Sequence, residues 1–202
     1  LLFGLASPDQ VAVRLAESES LAENLRSQLG SPGVGISLVR GEKTHEITLG
    51  YANLQEEVLV SDQTLFSIGS NTKAFTGVLM AKLVEAGEIS WEDPIKQHLP
   101  YFDLKEDYIE RNATIADALS HATGLDRNDS IWKYKTLSRK ELISKLKDLN
   151  FVEPFRDSYV YNNLMFTAVG MCAEQAAEKS WETLIDEQLF QALKLTSSSN
   201  WF

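Results

Sequence analysis

The chain has 202 residues, of which 44% are hydrophobic and 24% charged, a composition typical of a globular protein and unlike that of a disordered one. Its 19 basic and 29 acidic residues give a net charge of −10, which disfavours nucleic acid as a partner because phosphate binding needs clustered Lys and Arg. No apolar run approaches the ~18 residues of a membrane span, so we expect no transmembrane segment.

The first predicted element is an amphipathic helix over residues 8–30, which Gly30 ends. Two β-rich runs, 33–40 and 43–51, follow with two residues between them, and this pattern predicts a β-hairpin. An isolated hairpin is marginally stable, so we expect further strands to complete a larger sheet. The apolar positions of the predicted helix are Val11, Leu15, Leu21 and Leu25.

The rest of the chain is predicted to be mainly helical. A helix follows residue 70, and Gly87 provides its stop. Residues 89–150 have the pattern of short helices and loops, and no linker or repeat marks a domain boundary. The apolar positions of the helix after residue 70 are Phe75, Val78, Leu79 and Leu83, and the later predicted helices cover residues 138–149, 163–179 and 181–193.

Three Ser-x-x-Lys tetrads begin at Ser70, Ser130 and Ser144, and about one is expected by chance in a chain of this length. Ser144 lies within a predicted helix among solvated lysines, and Ser130 lies in a predicted loop with no helix start after it. Ser70 instead opens a helix, with Lys73 about one turn further on. A serine needs a base to become a nucleophile, and a helix N-terminus supplies positive potential for a developing oxyanion. The alternative role for Ser70 is that of a helix N-cap.

The wider string 66-FSIGSNTKAFTG-77 resembles the class C β-lactamase family, which includes related penicillin-binding proteins, D-peptidases and esterases. Three further strings resemble elements of that family in the same order: 50-GYANL-54, 90-SWEDPIKQHLPYF-102 and 120-SHATGL-125. Each is loose alone, but their order and spacing together are specific. The resemblance covers about residues 33–198.

The resemblance implies an α/β fold of the α+β type, with an antiparallel sheet flanked by helices and a mostly helical second region. Residues 1–202 would form one β-lactamase-like domain that lacks its C-terminal strands. Residues 1–69 would supply a helix and the N-terminal strands, and residues 70–202 the nucleophile helix and the helical region.

The second motif of that family is Tyr-x-Asn, and the sequence contains it twice. Tyr51-Ala-Asn53 precedes the serine at a strand end and is assigned to the fold. Tyr161-Asn-Asn163 follows the serine and immediately precedes a predicted helix, where the family places its motif. The alternative is a pair of exposed aromatic residues beside a helix capped by Asn163.

By resemblance, Ser70 is the acylated nucleophile, Tyr161 the general base, and Lys73 the cation that stabilises phenolate character. Asn163 would bind substrate and hold Lys73, and the backbone N–H of Ser70 would be an oxyanion donor. The implied function is serine acyl transfer on a β-lactam, a D-amino-acid peptide or a small ester. The alternative is a non-catalytic, penicillin-binding-like module or an inactive fragment.

Other candidate residues are assigned structural roles. His121 lies in a family-like string and is expected to be buried, although a Ser-His-Asp role is the alternative. His45, His98 and His121 are too dispersed for a zinc site, so no metal or cofactor is predicted. Cys172 has no cysteine partner and is predicted to be a buried apolar residue.

The third motif of the family, Lys- or His-(Thr/Ser)-Gly on a late strand, is absent from the sequence. We therefore expect weak turnover unless a C-terminal segment or a partner chain completes the sheet. The apolar start LLFGLAS and the resemblance favour a periplasmic or secreted protein. Asn112 and Asn128 fit the short glycosylation sequon, but this pattern does not decide the compartment.

Overall fold

A computed structural model describes residues 8–131 and 137–200, so the LLFGLAS segment and Lys133 of the second tetrad lie outside the described residues. Within those ranges an antiparallel sheet is followed by a mostly helical region, as predicted. The strands are β1 (Gly33–Arg40), β2 (Lys43–Asn53) and β3 (Val58–Leu59); the α-helices are α1 (Pro8–Gln28), α2 (Thr72–Glu85), α3 (Ile95–His98), α4 (Asp107–Asn112), α5 (Ile115–Leu119), α6 (Arg139–Ser144), α7 (Asn163–Ala177) and α8 (Trp181–Ile185).

The chain divides into two compact units, of which the first ends at Phe66 and the second begins at Ser67. The first unit holds α1 and the sheet, and the second holds the other helices. The predicted division after residue 69 lies close to this boundary. The idea of one domain that lacks its C-terminal strands stays a prediction.

The first unit contains the predicted hairpin. Strands β1 and β2 are antiparallel, from Gly33 opposite Gly50 to Arg40 opposite Lys43. Gly41, the first of the two turn residues, has φ +60°, which a two-residue hairpin turn with glycine in this position requires. The hairpin prediction is therefore confirmed. Strand β3 adds to β2 and was not predicted, because a two-residue strand is too short to show alternation.

Helix α1 ends within two residues of its predicted end, but only two of the four residues assigned to its apolar face, Val11 and Leu15, are half-buried. Leu21 and Leu25 are 61% and 46% exposed. The half-buried stripe runs from Val11 through Leu15 and continues at Ala22. These three positions lie on one face of a 3.6-residue helix, whereas Leu21 is turned well away from it.

The core of the second unit is built around α2 and α7, which pack against each other. Leu79 and Leu83 of α2 are buried as predicted, whereas Val78 is 50% exposed. Cys172 of α7 is fully buried, and burial raises the pKa of its thiol well above the usual value. Its predicted role as a buried apolar residue is confirmed.

Two other helix predictions and one loop prediction need correction. The helix predicted over residues 138–149 ends at Ser144, where the side chain bonds back to the Glu141 carbonyl oxygen at 2.7 Å, and a 3₁₀ turn follows. Ser130 lies in a 3₁₀ turn and not in a loop. Helix α8 passes into a π-helical turn, Asp186–Phe190, so regular α-helix ends earlier than predicted.

An ion pair between a nearly buried carboxylate and a half-exposed arginine stabilises the short helices of the second unit. The Asp117 carboxylate caps α5 by accepting hydrogen bonds from the Thr114 N–H and hydroxyl, both at 2.9 Å. Arg156 donates to both oxygens of the same carboxylate, each at 2.8 Å. Burial raises the pKa of Asp117, but the hydrogen bonds from Arg156 and Thr114 outweigh it, and the pKa lies below its usual range.

Replacing Arg156 with alanine is expected to lower the free energy of unfolding by about 1–3 kcal/mol at pH 7, because Asp117 then loses its countercharge. Since the pKa of Asp117 is depressed in the folded state, the ion pair contributes stability above the unfolded-state pKa. That contribution is lost as the pH falls through the folded-state pKa. Urea unfolding at neutral and acid pH measures both effects. Arg111→Ala, which removes an exposed pair with Asp107, is the control, and an equal loss in both variants would contradict the assignment.

Candidate active site

Ser70 lies in a 3₁₀ turn, Gly69–Asn71, that runs directly into α2. Its side chain is exposed, and its Oγ lies 2.6 Å from the Tyr161 hydroxyl oxygen. Asn71, not Ser70, occupies the N-cap position of α2, and no side chain caps that helix end. The alternative role of Ser70 as the N-cap of this helix is therefore wrong.

Lys73 approaches the Ser70 hydroxyl from one turn further along α2. Its Nζ donates to Asn163 Oδ1 at 2.6 Å and lies 3.4 Å from Ser70 Oγ. An ammonium group is only a donor, so the Ser70 O–H remains free to donate toward Tyr161. The structure thus brings together the four residues predicted from the sequence.

The start of α7 holds Tyr161 and Asn163 in place. The N-cap is Asn162, whose Oδ1 accepts from the Met165 N–H at 3.1 Å. The alternative in which Asn163 caps the helix is therefore wrong, and the Asn163 side chain is left to bind Lys73. Asn162 also donates to the Asp126 carbonyl oxygen at 2.8 Å, so the cap is tied to the loop that follows the 120–125 string.

His121 is a buried structural residue, as predicted, with a side chain packed against the Tyr161 ring at a centroid distance of 4.6 Å. Its Nδ1 accepts from the Asn162 N–H at 3.1 Å. Burial and then the charge of Lys73 lower the pKa of His121, so the imidazole stays neutral. With its acceptor nitrogen already occupied, it is not placed to act as a base toward Ser70.

The first Tyr-x-Asn belongs to the fold. Tyr51 and Asn53 lie in β2, and Asn53 Oδ1 accepts from the N–H groups of Gln55 and Glu56 in the turn that follows. The prediction that this copy has a structural role is confirmed.

Two site residues were missed in the sequence. The guanidinium carbon of Arg127 lies 4.8 Å from the centroid of the Tyr161 ring. Arg127 Nε donates to Asp129 at 2.6 Å, and Asp129 in turn accepts from Asn163 Nδ2 at 2.8 Å. The available signal was a charged pair just after 120-SHATGL-125, but exposed loops often carry such pairs, so nothing local distinguishes this one.

The electrostatics of the site favour ionisation of Tyr161. Burial raises the pKa of its hydroxyl, but the adjacent Lys73 ammonium and Ser70 hydroxyl, together with the charge of Arg127, outweigh burial. The pKa of Tyr161 therefore lies below its ordinary value. A phenol shifted in this direction is a better base near neutral pH.

Comparison with known proteins assigns the family. The model of the family described as Beta-lactamase matches residues 19–201. The chain belongs to the Beta-lactamase family.

The individual relatives are distant in sequence from this chain. Unguisins hydrolase ungD' of Aspergillus campestris is 29% identical over 83% of this chain and 33% of its own length, so the chain spans about a third of that curated relative. The octameric penicillin-binding protein homologue of Pyrococcus abyssi superposes with a TM-score of 0.80 at 22% identity, over 89% of this chain and 43% of its own. A penicillin-binding protein of Bacillus halodurans superposes with a TM-score of 0.73 at 21% identity, over 89% of this chain and 57% of its own. These likenesses confirm the predicted fold.

A cavity of about 570 Å³ lies beside Ser70 and Lys73. Its polar lining includes Ser70, Lys73 and Asn163, and its apolar walls include Phe166 and Trp181. The Ser70 hydroxyl is thus open to a small molecule. None of the described helices combines the length and apolarity needed to cross a membrane.

Proposed function

We propose that the chain carries the site of a serine acyl-transfer hydrolase that acts on amide or ester bonds through an acyl-enzyme on Ser70. The observation that carries the proposal is the 2.6 Å contact between the hydroxyl oxygens of Ser70 and Tyr161, beside the Lys73 ammonium. A base within hydrogen-bond reach of a nucleophile is the arrangement that covalent catalysis needs.

In the acylation step, Tyr161 in its phenolate form takes the Ser70 proton while Ser70 Oγ attacks the substrate carbonyl carbon. The tetrahedral intermediate then collapses, and the departing amine or alcohol receives that proton from Tyr161. Water repeats the sequence on the acyl-enzyme, with Tyr161 again as base, and releases the acid. Lys73 offsets the negative charge on Tyr161 throughout.

Asn163 has two tasks in this scheme. Its Oδ1 fixes Lys73, and its position at the cavity wall makes it a candidate ligand for the substrate amide or ester. The backbone N–H of Ser70, at the start of the nucleophile helix, would donate to the oxyanion. Substrates of three classes suit this chemistry: a β-lactam, a D-amino-acid peptide and a small ester. The Aspergillus relative is named a hydrolase, which supports bond cleavage by water.

We also propose that further strands, from downstream sequence or a partner chain, complete the sheet. The edge strands β1 and β3 leave large apolar side chains exposed, with Val39 at 71% and Leu59 at 64%. Unpaired strand edges are sites for added strands. By family resemblance such strands would supply the second oxyanion donor, whose loss typically costs ~10²–10³ in rate.

The test is to incubate the 202-residue chain, and a longer form with its natural downstream sequence, with a penicillin, a D-alanyl depsipeptide and a p-nitrophenyl ester. Intact mass spectrometry and product release are then measured. We expect one acyl adduct per chain and a rate ~10²–10³ higher in the longer form. Binding of these compounds without an adduct or product in either form would indicate a non-catalytic module. Equal rates in two well-folded forms would contradict the need for added strands.

A further inference from the structure

Arg127 and Asp129 connect the loop after Gly124 to the catalytic group. The Arg127 guanidinium lies over the Tyr161 ring at 4.8 Å, and Asp129 fixes it through a 2.6 Å hydrogen bond to Nε. The Arg127 side chain is 57% exposed and that of Asp129 29% exposed. We infer that Arg127 is a positioning residue that, anchored by Asp129, stabilises the anionic form of Tyr161 in acyl transfer. This inference rests on the proposed function.

Asp129 also sets the orientation of Asn163. A carboxylate can only accept, so the Asn163 amide must point its Nδ2 at Asp129, at 2.8 Å. Its Oδ1 then faces Lys73, at 2.6 Å. One carboxylate therefore positions both cations that act on Tyr161, Arg127 directly and Lys73 through Asn163.

The loop that carries Arg127 is fixed at several points. Gly124 has φ +72°, and an added Cβ would lie 2.2 Å from the Glu153 carbonyl oxygen, so another residue would displace the loop. Asp126 donates its N–H to the Asn150 carbonyl oxygen at 2.9 Å and accepts from the α7 cap, Asn162. The position of Arg127 over the ring is therefore built into the fold, although its tip is exposed.

The charged and titratable groups that face Tyr161 come from three elements. Lys73 approaches from α2, Arg127 from the loop, and His121 stacks on the ring. His121 is neutral, because burial and Lys73 lower its pKa. Asp129 is bonded to Arg127 and Asn163, so part of its charge is offset. Removal of the Arg127 charge should therefore make Tyr161 harder to ionise.

The experiment measures how the rate of Ser70 labelling by a fluorophosphonate depends on pH. Because ionised Tyr161 is the base, the rate rises with pH and then levels off. Arg127→Gln is expected to move this rise upward by roughly 0.5–1 pH unit, an effect limited by solvent screening of an exposed charge. Well below the midpoint the rate then falls about 3–10-fold, and at high pH it converges with that of the parent chain. A purely structural role would lower the rate at every pH without moving the rise.

Arg127→Lys keeps the charge and should recover more than half of the shift. Arg111→Gln, which replaces an exposed side chain on α4, should show none. If the pH at which the labelling rate rises is unchanged in Arg127→Gln, or shifts equally in the Gln and Lys variants, the inference is wrong. The proposed function is not affected by that result. No labelling of Ser70 in the parent chain at any pH would reject the proposed function and the inference with it.

A second measurement covers the case in which Arg127→Gln does not fold. Raising the salt concentration screens an exposed guanidinium, so the rise in the parent chain should move upward by several tenths of a pH unit between about 0.05 and 0.5 M salt. If the pH at which the labelling rate rises does not change with salt, the inference is wrong.

Discussion

Replacing Ser70 with alanine is expected to abolish the acyl adduct and to lower any ester turnover by at least ~10³-fold. The Ser70 hydroxyl meets both a proton acceptor, Tyr161 at 2.6 Å, and a cation, Lys73 at 3.4 Å. Without Oγ no covalent bond can form, and the remaining groups can only polarise a bound substrate. The measurement is the rate of p-nitrophenol release, together with the intact mass of the treated chain.

The sequence offers a matched control for that substitution. Ser144 begins another Ser-x-x-Lys tetrad, but its hydroxyl donates to the Glu141 carbonyl oxygen at the end of α6. Ser144→Ala should therefore keep the parent rate within about twofold, since surface substitutions change stability little. A loss as large in Ser144→Ala as in Ser70→Ala would point to a general effect on folding and would contradict the assignment of Ser70.

Tyr161→Phe is expected to slow acylation by ~10²–10⁴-fold, the range in which a positioned general base contributes. The change removes one oxygen and keeps the ring, so the packing against His121 at 4.6 Å is preserved. Because nearby cations lower the pKa of Tyr161, the parent rate should rise with pH and level off below the usual range of a phenol. That rise should be absent from the variant.

Tyr159→Phe is the control for this second prediction. Tyr159 also contacts the His121 ring, at 5.2 Å and edge-on, but it is 69% exposed. Its variant should retain both the rate and the pH dependence of the parent chain. If Tyr161→Phe labels as fast as Tyr159→Phe and with the same pH profile, the base is another group and the mechanism above is wrong.

The clustering of Ser70, Lys73, Tyr161 and Asn163 was predictable because these residues fall in short strings with a fixed order. Ser70 and Lys73 are one helical turn apart, so their proximity follows from local geometry. The contact with Tyr161 spans 91 positions of sequence, and it was predicted only through the family resemblance. The hairpin was predictable for a local reason also, since Gly41 supplies the positive φ of the turn.

The errors have a different physical origin. Arg127 and Asp129 act through tertiary contacts to Tyr161 and Asn163, and no spacing rule connects such positions. In α1, leucines were assumed to mark the packed face, but Ala22 occupies it and Leu21 is exposed. Asn163 was considered as a cap because asparagine favours the N-cap position, but the preceding residue, Asn162, is also an asparagine. The choice of Asn162 depends on its extended backbone, with φ −138° and ψ 120°, which propensity alone does not reveal.

The most direct test of the central claim is to locate the adduct left by a fluorophosphonate or a penicillin. The treated chain is digested, and the modified peptide is sequenced by tandem mass spectrometry. We expect one modified residue, Ser70, within 66-FSIGSNTKAFTG-77, and no modification of the Ser70→Ala variant. An adduct on Ser130, Ser144 or any other residue, or one that persists in Ser70→Ala, would contradict it.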